Sequence, residues 1–191
     1  MVRFVGGGRV GKTFLDGFNS IWLNAGMKYD VYTLKNRYPN YDYYIVGHSL
    51  GGAMASLAAA TIVATGVTTA DKVAIFTFGQ PRTGDKLFAN DFNSLFRVTS
   101  VRIVHNGDIV SQIPSMNGTN YFHHVREFWY QNDMTLNDTT YVSCDANYGE
   151  DPNCSVSLDS NKLNFEDHKY YFGRDFNAYG IGGCQDLADA T

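Results

Sequence analysis

The sequence predicts an α/β fold of three layers, with helices on both faces of a mainly parallel central sheet, and three observations predict it. Stretches with helix and strand periodicity alternate between residues 13 and 104, the pattern that strand–helix–strand crossovers leave in a chain. One short apolar strand runs into a glycine-flanked serine and then directly into a helix of small residues. The 191 residues are 44% hydrophobic and 18% charged, and no linker-like or low-complexity stretch divides them, so residues 1–191 read as one domain with a sizeable core.

The elements follow in order. From Thr13 to Tyr38 the apolar residues Phe14, Phe18, Ile21, Trp22, Ala25, Tyr29, Tyr32 and Leu34 recur at steps of three and four and stop at Pro39, which reads as one long amphipathic helix. Asp42 to Val46 is a strand. Leu50 to Thr65 is a buried helix rich in alanine, too short to cross a bilayer. Lys72 to Phe78 is a second strand, Thr83 to Phe96 a helix carried by Leu87, Phe88, Phe92 and Leu95, and Thr99 to Val104 a third, β-branched strand. After Pro114, Tyr121 to Tyr130 reads as one long aromatic strand, followed by a polar loop between Cys144 and Cys154.

Charge narrows the function classes. The formal net charge is −4 and basic residues form no cluster, which excludes nucleic acid as a partner and leaves no electrostatic handle for an anionic membrane. The amino end has no apolar stretch of signal-peptide length before Gly6-Gly7-Gly8, so the chain as written carries no secretory signal. Two features point the other way. Asn117-Gly118-Thr119 and Asn137-Asp138-Thr139 are glycosylation acceptor patterns at Asn117 and Asn137. Cys144 and Cys154 bracket a loop that a disulfide would close, adding roughly 2 to 3 kcal/mol of stability, with two unpaired thiols as the alternative.

The chemistry enters at Gly47-His48-Ser49-Leu50-Gly51-Gly52. Strand, G-x-S-x-G and helix together make a nucleophile elbow, which lifts a serine hydroxyl out of a sheet on a strained turn towards a base. Side chains at Gly47 and Gly51 are expected to collide with the neighbouring strand or helix, and Gly52 to let the helix start close to the sheet. A base and an acid are then required. Asp108 follows a strand at its carboxyl end, where open α/β sheets collect functional residues. Of five histidines, His48 is expected to project to the far side of its strand, His105 lies near a strand end, and His123 and His124 read as packed or hydrogen-bonded. His168, beyond the cysteine loop, is free to fold back over the sheet. The order Ser49, Asp108, His168 is that of α/β-hydrolases. His168 would take the Ser49 proton, Asp108 would hold the imidazole tautomer, and the backbone N–H of Leu50 would face the oxyanion. Neither a cofactor nor a metal is called for.

A rival motif is present. Gly6 to Thr13 satisfies G-x-x-x-x-G-K-[ST] with an apolar Val2 to Val5 before it, a phosphate-cradling pattern. A nucleotide hydrolase also needs an acidic Mg²⁺ ligand after a second strand. Only Asp108 follows a strand, no D-x-x-G occurs, and Asn161-Lys162-Leu163-Asn164 lacks the closing aspartate of a guanine-reading motif.

The chain resembles the class 3, fungal-type triacylglycerol lipases from about residue 9 onward. The resemblance is carried by Gly17-Phe18, by the GHSLGG elbow, by Phe78-Gly79-Gln80-Pro81-Arg82-Thr83-Gly84-Asp85, and by Asn106-Gly107-Asp108-Ile109-Val110 leading to Ile113-Pro114. His123 with Glu127 and Trp129, and Asp167-His168 followed by Tyr171-Phe172-Gly173, complete it. It implies a secreted α/β-hydrolase cleaving carboxylic esters of long-chain acylglycerols at a lipid–water interface, with Ser49, Asp108 and His168 as its triad. The family's longer chain carries, in its amino-terminal part, a central strand with a second oxyanion donor, a helical lid and a signal peptide. The resemblance therefore implies an amino-terminally truncated chain that supplies only Leu50 as donor, and the alternative to a working ester hydrolase is a lipase-like chain that binds lipid with weak or no turnover. Cys184 matches a family cysteine whose partner lies near the amino end, and has none here.

Overall fold

The structure is a computed structural model that describes residues 1–137 and 140–185. Strands β1 (Val2–Arg3) and β2 (Arg9–Val10) pair antiparallel as a hairpin. Its turn, Gly6 to Gly8, packs on the chain that follows. A Cβ on Gly7 would strike the Asp91 carboxylate, and one on Gly8 the backbone nitrogen of Phe88, and both glycines have positive φ (100° and 56°). A loop closed against a carboxylate and a backbone has no room to cradle phosphate, and Lys12 is paired with Asp16. The rival motif is thus a packed hairpin turn.

Helix α1 (Lys12–Asn19) continues through a wider turn, Ser20–Asn24, and α2 (Met27–Arg37) follows after Gly26 at φ 85°. The single helix expected from Thr13 to Tyr38 is two helices, because the left-handed conformation of Gly26 ends one and restarts the next. Phe18 and Trp22 hold the first half in place, stacked at 5.6 Å and buried.

The sheet that positions the site starts at β3 (Tyr43–His48), and α3 (Leu50–Ala64) leaves it after one residue. Leu57, Ala59, Ala60 and Ile62 of α3 are buried against it. Next come β4 (Val73–Phe78), the short β5 (Gly84–Asp85) and α4 (Lys86–Phe96). The Asp85 carboxylate caps α4 by accepting from Phe88 N–H at 2.8 Å, so the helix begins three residues later than Thr83. Phe88, Phe92 and Phe96, spaced by one turn, form its fully buried stripe. β6 (Ser100–His105) follows.

The expected strand from Tyr121 to Tyr130 is two strands in different sheets, β7 (Tyr121–Phe122) and β8 (Glu127–Tyr130). Between them the N–H groups of His123 and Val125 donate to the side chains of Glu150 and Asn93 at 2.7 and 2.9 Å. Backbone donors used in this way cannot join a strand ladder. The remaining elements are β9 (Val142–Ser143), α5 (Glu166–Lys169), β10 (Tyr170–Tyr171), β11 (Arg174–Asp175) and α6 (Phe176–Ile181).

The main sheet has the order β3-β4-β6-β8-β9, parallel from β3 to β8 and antiparallel at β9, with Ile45 beside Ile75 and Phe78 beside Ile103. A smaller antiparallel sheet has the order β1-β2-β5-β7. This is the α/β arrangement that the alternation predicts, and the parallel strands aim their carboxyl ends the same way. Two buried ion pairs brace this frame: Arg82, in the segment after β4, holds Glu150 by two bonds of 2.8 Å, and Arg102 of β6 holds Glu127 of the neighbouring β8 at 3.1 Å. No helix among the described residues is long and apolar enough to cross a membrane.

Candidate active site

Ser49 stands between β3 and α3 with φ 56° and ψ −129°, a strained conformation for a non-glycine residue. Its N–H donates to Phe78 O on the neighbouring strand at 2.9 Å, and its carbonyl accepts from Gly52 N–H at 2.9 Å. The turn works only because of what surrounds it. A Cβ on Gly47 would overlap the Gly51 carbonyl and reach within 2.7 Å of Gly52 N, while one on Gly52 would lie 3.1 Å from Gln80 Cβ and 3.3 Å from Thr77 Cβ. The expectation fails at Gly51, where a Cβ would meet nothing within 4 Å. Gly51 faces open space from the first turn of α3, so no neighbour forbids a side chain there.

Asp108 follows β6 in a tight turn closed by its own N–H to His105 O at 2.9 Å, and is 1% exposed. His168, on α5, is brought to it by a latch between two loops. Asn164 N–H donates to Gly107 O (2.8 Å), Ile109 N–H donates to Asn164 O (3.1 Å), and Gly107 N–H donates to Asp167 Oδ2 (2.8 Å). The ring of His168 then lies with Nδ1 2.9 Å from both Asp108 oxygens and Nε2 2.8 Å from Ser49 Oγ. A carboxylate can only accept, so Nδ1 carries the proton and Nε2 is left to accept from the serine hydroxyl. That is the tautomer a general base beside a hydroxyl nucleophile requires.

The carboxylate is held from other sides as well. Val110 N–H donates to Oδ1 at 2.8 Å and the Tyr171 hydroxyl donates to Oδ2 at 2.6 Å. Gly79, at φ 56°, passes so close that a Cβ would overlap Asp108 Oδ2 and come within 2.8 Å of His168 Nδ1. Leu50, the first residue of α3, has an N–H without an intrahelical partner at the positive end of the helix dipole.

His48 departs from expectation. It does not point away from the site: its ring stacks at 4.5 Å on His168 and at 4.5 Å on Phe176, and Nε2 donates to His168 O at 2.9 Å. The segment carrying His168 and Phe176 folds over this side of β3 too. Burial lowers the His48 pKa, with the bond to the His168 carbonyl opposing. His123 and His124 are buried and hydrogen-bonded as expected, and His105 ends β6 as expected. His105 faces the carbonyls of Asp167 and Asn132. His123 is buried against Ser111 O at 2.8 Å, and burial followed by the charges of Arg102 and Arg82 holds its pKa well below the usual value.

Cys144 and Cys154 form a disulfide with Cα atoms 6.1 Å apart, and Cys184 is exposed and unpaired. The one group of metal-type side chains among the described residues, Glu127 with these two cysteines, offers no thiolate, since both sulfurs are bridged. Asn117 is exposed in a surface loop and Asn137 is also exposed. Asp138 and Thr139, the rest of the second glycosylation pattern, lie outside the described residues.

Sequence reasoning assigned no role to Tyr171, Gly79, Asn164 or Asp167. Gly79 carries a local signal, a glycine directly after a strand end, and Gly79, Asp167 and Tyr171 stand within the stretches that carry the family resemblance, while Asn164 stands in none of them.

Known proteins resemble this chain in sequence and in fold. The sequence model of the family "Lipase (class 3)" matches residues 1–118. Lipase ZK262.3 of Caenorhabditis elegans is 34% identical over 208 residues, covering 95% of this chain and 57% of its own length. Secreted mono- and diacylglycerol lipase 1 of Fusarium solani is 33% identical over 115 residues, covering 59% of this chain and 33% of its own. The solved structure of the Rhizomucor miehei triacylglyceride lipase superposes with a TM-score of 0.76 at 29% identity, over 87% of this chain and 60% of that one. The α/β-hydrolase fold is therefore shared, and the chain spans less than two thirds of these relatives.

Proposed function

The chain belongs to the class 3 lipase family, and from that premise we propose that it is a serine hydrolase that cleaves carboxylic esters of acylglycerols through an acyl-enzyme. The observation that carries the reading is the continuous relay from Ser49 Oγ to His168 Nε2 at 2.8 Å and from His168 Nδ1 to Asp108 at 2.9 Å.

In this reading Ser49 Oγ attacks the ester carbonyl as His168 Nε2 takes its proton. Negative charge builds on the carbonyl oxygen, and the Leu50 N–H, free of an intrahelical partner in the first turn of α3, would receive it. The imidazolium formed on His168 is stabilised by the Asp108 carboxylate and gives its proton to the departing alcohol. Water then repeats the sequence on the acyl-Ser49 ester, with His168 again the base, and releases the acid. The relatives named for mono-, di- and triacylglycerol hydrolysis support an acylglycerol substrate. Exposed apolar side chains beside the site, Leu50 next to Ser49 and Phe165 with its ring 5.2 Å from His168, support action at a lipid–water interface. The disulfide and the secreted Fusarium relative support an extracellular setting, in which Asn117 would be a glycosylation site and residues 1–191 one domain.

A fluorophosphonate probe tests the reading directly. Labelling should be found on the peptide containing Ser49 and be lost in Ser49→Ala, together with hydrolysis of p-nitrophenyl esters. Equal ester turnover by the wild-type chain and Ser49→Ala would refute it.

A further inference from the structure

Asp108 is surrounded by more donors than a triad needs. Its two oxygens accept from Val110 N–H, from His168 Nδ1–H shared between them, and from the Tyr171 hydroxyl at 2.6 Å. The phenol bond is the shortest of these. Its direction is also determined, because the Tyr171 oxygen accepts from His105 N–H at 3.3 Å, which leaves the hydroxyl proton to point at Oδ2. The ring is 1% exposed and packed edge-on to Phe78, His105 and His48 at 5.8, 5.8 and 5.7 Å. Burial, followed by the charge of Asp108, raises the phenol pKa well above its usual value, so Tyr171 is a neutral donor at any working pH.

Resting on the triad proposed above, we propose that Tyr171 is a positioning residue that sets the basicity of Asp108, and through it the strength of the Asp108–His168 hydrogen bond. A strong donor on Oδ2 withdraws charge from the carboxylate and fixes its rotation. Less charge is then offered to the His168 N–H, and the hydrogen bond between the two is weaker than an unshared carboxylate would make it. Asp108 has no solvent to do this, since it is buried. The other titratable groups around the pair are His48, stacked on His168, His105 at the end of β6, Asp167 on α5, and Glu127, whose charge reaches Tyr171. None of them donates to Asp108.

The test is a pair of substitutions with opposite expected signs. Tyr171→Phe keeps the buried ring and removes the donor, and 3-fluorotyrosine placed at position 171 keeps the shape and strengthens the donor. The first readout does not depend on turnover: the low-field proton resonance of His168 Nδ1–H moves further downfield in Tyr171→Phe and upfield with fluorotyrosine. The second is the acid limb of the pH dependence of Ser49 labelling by a fluorophosphonate, which moves up by about half a pH unit in Tyr171→Phe and down with fluorotyrosine. A merely structural tyrosine would shift neither in opposite directions. Unchanged positions of both in either variant, or the same direction in both variants, would overturn the proposal. Opposite resonance shifts in chains that never label at Ser49 would uphold it while refuting the hydrolase reading.

Discussion

Replacing His124 by a residue that cannot titrate tests the polar core beneath the site. His124 is 1% exposed, its ring lies 4.1 Å from that of Phe92, and its two nitrogens are already committed. Nδ1–H donates to Val125 O at 3.1 Å, while Nε2 accepts from Gln80 Nε2–H at 3.0 Å and Ser56 O–H at 3.1 Å. A proton on Nε2 would face the Gln80 donor, in a site that burial and then the Arg102 charge already make hostile to cations. The pKa is accordingly lowered to about 3, with the Val125 carbonyl opposing. In the unfolded chain a histidine titrates near about 6.5. The folded value is the lower one, so the unfolded chain takes up the proton first, and stability present above pH 6.5 is lost as the pH falls. Linkage gives about 2 kcal/mol lost from this one ring by pH 5 and about 3 kcal/mol by pH 4.

Urea unfolding of the wild type and His124→Gln at pH 7, 6, 5 and 4 separates this effect from that of the carboxylates, which titrate in both chains. The variant is expected to be less stable at pH 7, because the bonds to Gln80 and Ser56 are altered, but to lose less on acidification. The gap between the two chains should shrink by about 2 kcal/mol between pH 7 and pH 5. Parallel stability curves would show that His124 is not held neutral, and would refute the reasoning.

Other outcomes follow from the same contacts. Asp108→Asn should lower the labelling rate of Ser49 about 10⁴-fold, since an amide permits the wrong imidazole tautomer; a loss below about tenfold would remove Asp108 from the relay. Gly79→Ala should reduce ester turnover far more than it reduces stability, because its Cβ is aimed at Asp108 Oδ2 and His168 Nδ1, and normal turnover would show that the strand end relaxes freely. Gly47→Ala should abolish folding or labelling while Gly51→Ala is tolerated, as read by soluble yield and fluorophosphonate labelling. Replacing Cys144 and Cys154 by serine should lower unfolding stability by about 3 kcal/mol for a bridge of this loop length, measured by urea denaturation.

The relay could be read from the sequence because its chemistry restricts both residue type and chain order. Ser49 announces itself by glycines that a strained turn requires, and Asp108 by its place after a strand. His168 was reached by elimination among five histidines. Periodicity likewise located α3, α4 and the parallel strands, whose patterns are local. What escaped is what depends on distant partners. The break between β7 and β8 is made by Glu150 and Asn93, 27 and 32 residues from the N–H groups they bind, and nothing within the aromatic run records them. Tyr171 and His48 acquire their roles only when the chain after the disulfide loop lies across the ends of β3 and β6. The elbow glycines show the limit most sharply. The motif treats Gly47 and Gly51 alike, yet one sits under a backbone carbonyl and the other under nothing. A pattern states which residues have sufficed at a turn. Only the surrounding atoms state which of them the turn forbids to change.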